Sequence, residues 1–269
     1  NGTIYTAVET FDADIAVKDE KIIAIGNNLG NAERVIDAEG MLVLPGGIDP
    51  HCHIEQESST RIMTADDFYS GSVSAAFGGN TTFLPFAAQH RGQSLREVVE
   101  TARDRARVKS VIDYGLHLIV SDPTEKVLEE ELPSLIKEGY TSFKVYMTYE
   151  MLKINDREML DILALARNNG AMTMVHAENN EVITWITERL LTRGYDAPKF
   201  HAVSHTPIAE SEASRRAIDL ARLVDAPLLI VHVSEPEAAR AILEARNNGL
   251  QIYGETCPQY LFLTAEDLD

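Results

Sequence analysis

The chain has 269 residues, of which 45% are hydrophobic and 25% are charged, a globular composition that excludes a disulfide-stapled miniprotein. Its 24 Lys and Arg residues against 42 Asp and Glu residues give a net charge of −18, which argues against nucleic acid as a partner because phosphate binding needs clustered cations. No apolar run approaches the roughly 20 residues that span a bilayer, and the first residues are polar. Cys52 and Cys257 form no CxxC pattern. We therefore expect a cytoplasmic protein with no membrane partner, disulfide framework or thiolate zinc site.

The first part of the chain, residues 1–45, is predicted to belong to a small β domain of the sandwich type. Short apolar runs alternate there with turn residues, as in strands joined by tight turns. The predicted strands cover residues 3–7, 13–17, 22–25 and 41–44.

The second part, residues 46–269, is predicted to be a TIM-like (β/α)₈ barrel. Seven strand-like runs recur at intervals of roughly 30 residues, the size of a βα unit. They cover residues 48–54, 81–86, 111–120, 141–147, 171–176, 227–233 and 251–253. The eighth strand is missing from the sequence, so we expect the natural chain to continue beyond Asp269.

Two of the intervening helices carry clear boundary signals. Asn155 and Asp156 open one helix, and the sequence Asn168-Asn169-Gly170 closes it. Ser234 is predicted to open another helix, which ends at Asn247-Asn248-Gly249.

Histidines occur at the ends of three predicted barrel strands. His51 and His53 are two residues apart on a strand and so project from the same face. His176 ends the fifth run and His232 lies near the end of the sixth. The carboxyl ends of barrel strands surround one central volume, so these four imidazoles are predicted to form a metal site. His117, in the middle of the third run, is predicted to be a core residue.

Lys144 lies inside the fourth strand, where its amine would point into the barrel. Burial lowers the pKa of a lysine and makes the neutral amine available. A neutral amine can add carbon dioxide to form a carbamate, which would bridge two metal ions. A lysine that reaches the rim and pairs with a carboxylate is the alternative for this residue considered alone.

Together these residues match a family. The sequence resembles the dihydropyrimidinase and D-hydantoinase branch of the amidohydrolase superfamily, the cyclic amidohydrolases. The resemblance covers essentially the whole chain and includes motifs at residues 44–53, 66–68, 78–82, 143–149, 175–179, 231–234 and 255–261.

The resemblance implies a role for each candidate residue. His51 and His53 would hold the more buried of two divalent metal ions, His176 and His232 the more exposed one, and carbamylated Lys144 would bridge them. Zinc is the first choice, with manganese, iron or cobalt as alternatives. Tyr149 would bind the substrate and donate a hydrogen bond to the developing oxyanion. The family's aspartate on the eighth strand has no counterpart in the sequence.

The resemblance also implies an activity, the hydrolysis of the cyclic amide bond of dihydropyrimidines or 5-substituted hydantoins to N-carbamoyl amino acids. Dihydroorotases carry an arginine two residues after the HxH motif, whereas Glu55 stands there in this chain and would repel the carboxylate of dihydroorotate. The polar segment 55–60 leaves the preferred exocyclic group open. An allantoinase-like enzyme and a non-catalytic interaction protein of the same fold are the alternatives. A homo-oligomer, a tetramer, is implied by resemblance alone.

Overall fold

A computed structural model describes residues 1–58 and 62–268. The N-terminal part forms a four-stranded mixed sheet in the order β3-β2-β1-β4. Its strands are β1 (Gly2–Tyr5), β2 (Thr10–Lys18), β3 (Lys21–Gly26) and β4 (Leu42–Val43). The first three pair antiparallel, and β4 pairs parallel to β1. The four predicted strands are therefore confirmed, with shifts of a few residues at their ends.

The rest of the chain forms a parallel sheet whose strand order follows the sequence. The order is β12-β11-β10-β9-β8-β6-β5, and β7 pairs with β6. Its strands are β5 (Gly47–Cys52), β6 (Asn80–Ala88), β7 (Asp113–Tyr114), β8 (His117–Ile119), β9 (Ser142–Tyr146), β10 (Met172–His176), β11 (Leu228–Ile230) and β12 (Ile252–Gly254). Sequential parallel strands with intervening helices are the architecture of a (β/α) barrel, so the predicted fold is confirmed over its first seven units.

The third predicted strand is wrong as one continuous run. Residues 111–120 form two short strands, β7 and β8, which pair with separate stretches of β6. The interruption lies opposite Leu84 and Pro85. Because Pro85 has no backbone N–H, it cannot donate to the ladder, and the two strands pair on either side of it.

The helices lie outside the sheet. The main ones are α1 (Phe68–Phe77), α2 (Leu95–Lys109), α3 (Leu132–Lys137), α4 (Asp156–Asn169), α5 (Asn180–Thr192), α6 (His201–Ser204), α7 (Pro207–Leu223) and α8 (Pro236–Asn247). A π-helical turn, Val127–Glu131, precedes α3. No helix in the described ranges is long and apolar enough to cross a membrane.

The helix boundary predictions are confirmed for α4 and corrected for α8. Asn155 caps α4 in a capping box, and Gly170 ends it with a left-handed φ of 68°. The N-cap of α8 is Glu235 and not Ser234, because the hydroxyl of Ser234 donates to Glu210 Oε2 at 2.5 Å.

Apolar side chains divide between the two faces of the parallel sheet. Phe143 and Val145 face outward and belong to the main core, which residues of α2, α4, α7 and α8 complete. The alternate residues of β9, Lys144 and Tyr146, face the barrel interior. The inner cluster consists of Phe86, Ile119, Tyr146, Met174 and Val231. Lys144 therefore lies in the barrel interior beside this apolar cluster.

Candidate metal and catalytic site

The carboxyl ends of four parallel strands bring the predicted metal ligands together. The ring of His51, on β5, lies 5.4 Å from the ring of His53 and 5.8 Å from that of His232, centroid to centroid. The rings of His176 and His232 are 4.5 Å apart. These contacts join residues far apart in sequence because the strands are neighbours in a parallel sheet.

Lys144 extends into the centre of this group. Its side chain is 1% exposed, and Nζ lies 2.7 Å from Nε2 of His51. Nζ also lies 4.8 Å from the centroid of the Phe86 ring and 5.2 Å from that of Tyr146. Burial lowers the pKa of Lys144 to about 7, against a smaller opposite effect of Glu255 and Cys257. A substantial fraction of this amine is therefore neutral at neutral pH.

In three of the four histidines, one ring nitrogen lies within hydrogen-bond distance of a side-chain oxygen. Nδ1 of His51 bonds Oε1 of Glu255, Nδ1 of His53 lies 2.7 Å from Oε1 of Gln56, and Nε2 of His176 lies 2.6 Å from Oε2 of Glu178. Each of these contacts leaves the opposite ring nitrogen with a lone pair. An outer oxygen acceptor behind each imidazole is the usual arrangement in protein metal sites.

His232 differs from the other three, since no side-chain hydrogen bond to its ring occurs within residues 1–58 and 62–268. Burial, together with the charges of His176 and Lys144, lowers the pKa of His232 to about 2. Burial also lowers the pKa of His176. Both rings are therefore neutral at neutral pH, the form in which an imidazole binds a metal ion.

Tyr149 stands beside the second histidine pair. Its ring centroid is 5.0 Å from that of His176, and the two rings meet edge to face. Burial raises the pKa of Tyr149 to about 12, with a further contribution from Glu178, so the phenol remains protonated and can donate.

Two site residues occupy the left-handed backbone region, Tyr149 with φ of 66° and His232 with φ of 42°. This conformation costs a side-chain-bearing residue on the order of 1–3 kcal/mol and clusters at functional sites. The two loops that carry these side chains therefore have a strained backbone at Tyr149 and at His232.

His117 lies outside the site, as predicted for a core residue. It is 7% exposed, and both its ring nitrogens are in hydrogen bonds, Nδ1 with Ser142 Oγ at 2.5 Å and Nε2 with the carbonyl of Pro50 at 2.8 Å. No ring nitrogen of His117 remains for a metal ion.

Glu55, expected to disfavour a substrate carboxylate, is held in an ion pair with Lys109 of α2. Its carboxylate accepts hydrogen bonds from Lys109 Nζ at 2.8 and 2.9 Å and from the backbone N–H of Phe68 at 3.2 Å. Glu55 therefore connects the loop after β5 to α1 and α2, and its charge is neutralised there. Of the polar segment 55–60, Ser59 and Thr60 lie outside the described residues.

A cavity of about 180 Å³ adjoins Tyr149, and we call it the mouth cavity. It is lined by Gln56, Glu57, Ser58, Ala88, His90, Tyr146, Tyr149 and Leu152. One wall is thus aromatic and aliphatic, and the other is the polar loop that follows His53. A larger cavity, of about 260 Å³, lies between this loop and α2, and neither cavity has any of the five predicted metal ligands in its lining.

The donor set consists of four imidazoles and one lysine, and imidazole is a ligand that suits divalent metal ions. Within the described part of the chain, no group of three or more His, Cys, Asp or Glu side chains could hold a metal ion. The predicted donor set differs from such a group, because it combines two pairs of histidines with Lys144 as the predicted further ligand. An unmodified ammonium cannot serve as that ligand, whereas a carbamate supplies anionic oxygens.

Sequence reasoning gave no role to Glu178, Glu255 or Gln56. The signal that could have found the two glutamates is positional, since Glu178 follows β10 by two residues and Glu255 follows β12 directly. Both therefore stand at the edge of the sheet where the histidines lie. Gln56 gives no such signal because its contact with His53 depends on the path of a loop.

Comparison with known proteins identifies the same family as the sequence motifs do. The model of the amidohydrolase family matches residues 42–195. The D-hydantoinase of Geobacillus stearothermophilus is 46% identical over 100% of this chain and 57% of its own length. The chain thus spans less than two thirds of the length of the curated relatives it matches.

Solved structures agree with the sequence comparison. A D-hydantoinase structure superposes with a TM-score of 0.97 at 46% identity, covering 100% of this chain and 58% of the other. The dihydropyrimidinase from Brevibacillus agri superposes with a TM-score of 0.91 at 42% identity, covering 98% of this chain and 58% of the other. The resemblance found in the sequence motifs is confirmed.

Proposed function

Because the chain belongs to the amidohydrolase family, we propose that its protein hydrolyses the cyclic amide bond of dihydropyrimidines or 5-substituted hydantoins. The products would be N-carbamoyl amino acids. The convergence of four histidines and Lys144 on one volume carries this proposal, together with the D-hydantoinase relatives. These relatives are longer than this chain, and the proposal concerns the activity of the whole protein.

Five residues would hold two divalent metal ions: His51 and His53 the first, His176 and His232 the second, with Lys144 shared. The metal ions would supply an activated water at neutral pH and polarise the amide carbonyl. We infer zinc first, with manganese, iron and cobalt also suited to imidazole and carboxylate-type ligands.

Lys144 would enter the site as a carbamate. The neutral amine attacks the carbon of CO₂, an N–C bond forms, and the nitrogen releases one proton. One C=O π bond of CO₂ breaks as its electron pair moves to oxygen, and the side chain thereby changes from a neutral amine to an anion with two oxygen donors. Burial among Phe86 and Tyr146 favours the first step, because it keeps part of the amine neutral.

Tyr149 would donate its phenolic hydrogen to the carbonyl oxygen of the scissile amide. A donor placed where negative charge develops stabilises the tetrahedral intermediate. The mouth cavity, which Tyr149 also lines, would receive the exocyclic group of the ring. The general acid for the leaving nitrogen is assigned to no residue of this sequence, since the family places it on the eighth strand.

Two alternatives remain as outcomes of the test. An allantoinase-like enzyme would use the same donor set on a different cyclic ureide. A non-catalytic interaction protein of this fold is disfavoured by the presence of all five ligand-type residues. A homo-oligomer, a tetramer, is proposed from the resemblance and is checked by the solution mass.

The experiment is a ring-opening assay of the purified protein with dihydrouracil, 5-monosubstituted hydantoins and allantoin. We expect turnover of the first two, its loss after chelation and its recovery with Zn²⁺ or Mn²⁺. Preference for allantoin would indicate the first alternative. No turnover of any of the three by metal-loaded protein would contradict the proposed function.

A further inference from the structure

We propose that Glu178 and Glu255 are positioning residues, one for each metal position, that set which ring nitrogen of His176 and of His51 faces the metal. This inference rests on the proposed function and adds two residues to it. Neither glutamate would contact the substrate or the reacting water. Each would act through the imidazole that it holds.

The first pair is fixed from several sides. The Nε2–H of His176 donates to Oε2 of Glu178 at 2.6 Å, and the two side chains are 10% and 16% exposed. Tyr146 stacks on the same imidazole at 5.4 Å, and Tyr149 meets it edge to face at 5.0 Å. The rings hold the plane of His176 and the carboxylate selects its tautomer, so Nδ1 carries the lone pair.

The second pair selects the opposite nitrogen. Nδ1–H of His51 donates to Oε1 of Glu255, which leaves Nε2 with the lone pair. That Nε2 already faces Lys144 Nζ at 2.7 Å, the position from which a carbamate would extend. The backbone of Glu255 is itself held, since its N–H donates to Ile230 O at 3.1 Å and its carbonyl accepts from Val233 N at 2.7 Å.

The carboxylates of Glu178 and Glu255 are divided between the two proposed metal positions, one to each. In the His51 and His53 pair, His51 has a carboxylate partner and His53 has the neutral amide of Gln56. In the His176 and His232 pair, His176 has the carboxylate of Glu178, and His232 has no side-chain partner in the described ranges. Each position therefore receives one imidazole made more basic by an anionic partner and one that is not.

The test is a zinc titration of the wild-type protein, E178A, E178Q, E255A and E255Q in chelator-buffered Zn²⁺, with bound metal counted per chain. Loss of such an outer partner typically lowers metal affinity about 10–100-fold. In E178A we expect one of two sites to weaken by this factor while the other keeps its affinity, and in E255A the converse. The glutamine variants retain an acceptor oxygen without the charge, so their loss should be smaller.

A second measurement reads the tautomer directly. Nitrogen-15 NMR of the metal-free protein should show His176 protonated at Nε2 in the wild type and in E178Q, and a mixture of tautomers in E178A. E181A is the matched control, because Glu181 lies in the first turn of the adjacent helix α5 with its side chain 85% exposed. It should change neither zinc affinity nor tautomer.

The outcomes separate this inference from the proposed function. Two wild-type zinc sites that stay within twofold in all four variants, with an unchanged His176 tautomer, would overturn the role of the glutamates and leave the proposed function standing. A wild-type protein that binds none of zinc, manganese, iron and cobalt would overturn the proposed function and the metal role of both glutamates with it. If an alanine variant does not fold, its glutamine counterpart decides.

Discussion

Lys144 is the residue on which the proposed metal site depends most. Its amine is buried among aromatic rings, and its only close polar neighbour among the hydrogen bonds of the described residues is Nε2 of His51. A buried ammonium in such surroundings is costly, whereas a carbamate bound to metal ions would be satisfied. The burial therefore makes sense as part of a metal site.

We expect Lys144→Ala to lose the shared ligand and with it both metal ions. The loss of zinc affinity should exceed the about 10–100-fold that removal of an outer partner costs. Ring-opening activity should disappear with the metal. Lys153→Ala is the control, since Lys153 also lies near the mouth but pairs with Glu150 at 2.8 Å. Full metal content in the Lys144 variant would contradict the assignment.

Tyr149→Phe tests the oxyanion donor separately from the metal. Removal of one such donor lowers kcat about 10²–10³-fold in other enzymes, and we expect a similar loss here. Metal content should not change, because the hydroxyl is not a ligand. With the pKa of Tyr149 raised to about 12 by burial, the donor should persist across neutral and mildly alkaline pH. Steady-state kinetics that match the wild type would remove Tyr149 from the mechanism.

The sequence indicates the candidate metal ligands of this site better than it indicates the hydrogen-bond partners of those residues. His51, His176 and Lys144 stand out because a strand period of two and the ends of parallel strands determine where they point. The roles of Glu178 and Gln56 depend on distances across loops, which no periodicity encodes. Glu55 shows the same limit, because its ion pair with Lys109 depends on how α2 packs.

At the scale of single elements, the N-terminus of α2 is held by a residue from another segment. Glu131, at the end of the π-helical turn, is 6% exposed and accepts from Ser94 Oγ at 2.8 Å and from the N–H of Leu95 at 2.7 Å. Burial raises the pKa of Glu131, but hydrogen bonds from Ser94, Lys126 and the backbone outweigh it, so the pKa lies below its usual value of 4.5.

This lowered pKa makes a pH-dependent stability difference. A carboxylate whose pKa falls on folding contributes stability that is present above its unfolded pKa and lost as the pH falls through its folded pKa. We expect Glu131→Gln to destabilise the protein by about 1.5–3 kcal/mol near pH 7, the range for hydrogen bonds to a charged group. The difference should shrink below pH 4.5. Urea unfolding at several pH values measures it, and a difference independent of pH would contradict this explanation.

The capping box of α4 gives a second test at this scale. Asn155 Oδ1 accepts from Glu158 N at 3.0 Å, and Glu158 Oε2 accepts from Asn155 N at 2.8 Å. We expect Asn155→Ala to destabilise the protein by about 0.5–2 kcal/mol. Asn155→Asp preserves the acceptor and should cost much less in the same urea titration. Equal stability of the two variants would show that the cap contributes nothing.

The boundaries of elements were predictable where local chemistry decides them. Asn155 and Gly170 mark α4 because capping and left-handed termination are local properties. The start of α8 and the broken third strand depend on distant residues, Glu210 and Pro85. A local sequence pattern does not show which distant residue accepts a hydrogen bond from a hydroxyl group or interrupts the hydrogen bonding between two strands.

At the scale of the whole molecule, the site joins strands from across the parallel sheet. His51 and His53 lie on or next to β5, Lys144 on β9, and His176 and His232 at the ends of β10 and β11. A ligand that binds only the folded state stabilises it, by about 2.7 kcal/mol at a free concentration 100 times its Kd. We expect Zn²⁺ to raise the Tm in a concentration-dependent way and a chelator to lower it. A Tm insensitive to both would contradict coupling of the site to the fold.

The repeated βα pattern in the sequence predicts the order of the parallel strands. It does not predict the path of the loops at the barrel mouth. The alignment with a D-hydantoinase covers the whole chain at 46% identity, and the mouth cavity is lined in part by the loop after His53. A series of 5-substituted substrates therefore measures which exocyclic group on the substrate ring the protein prefers.

The most direct measurement is anomalous diffraction at the zinc edge from crystals of the zinc-loaded protein. We expect two peaks about 3.5–4 Å apart, one beside His51 and His53 and the other beside His176 and His232. Electron density should extend from Nζ of Lys144 between them. A single peak elsewhere, or an unmodified Lys144 amine still in contact with His51 and no zinc beside it, would contradict the binuclear site.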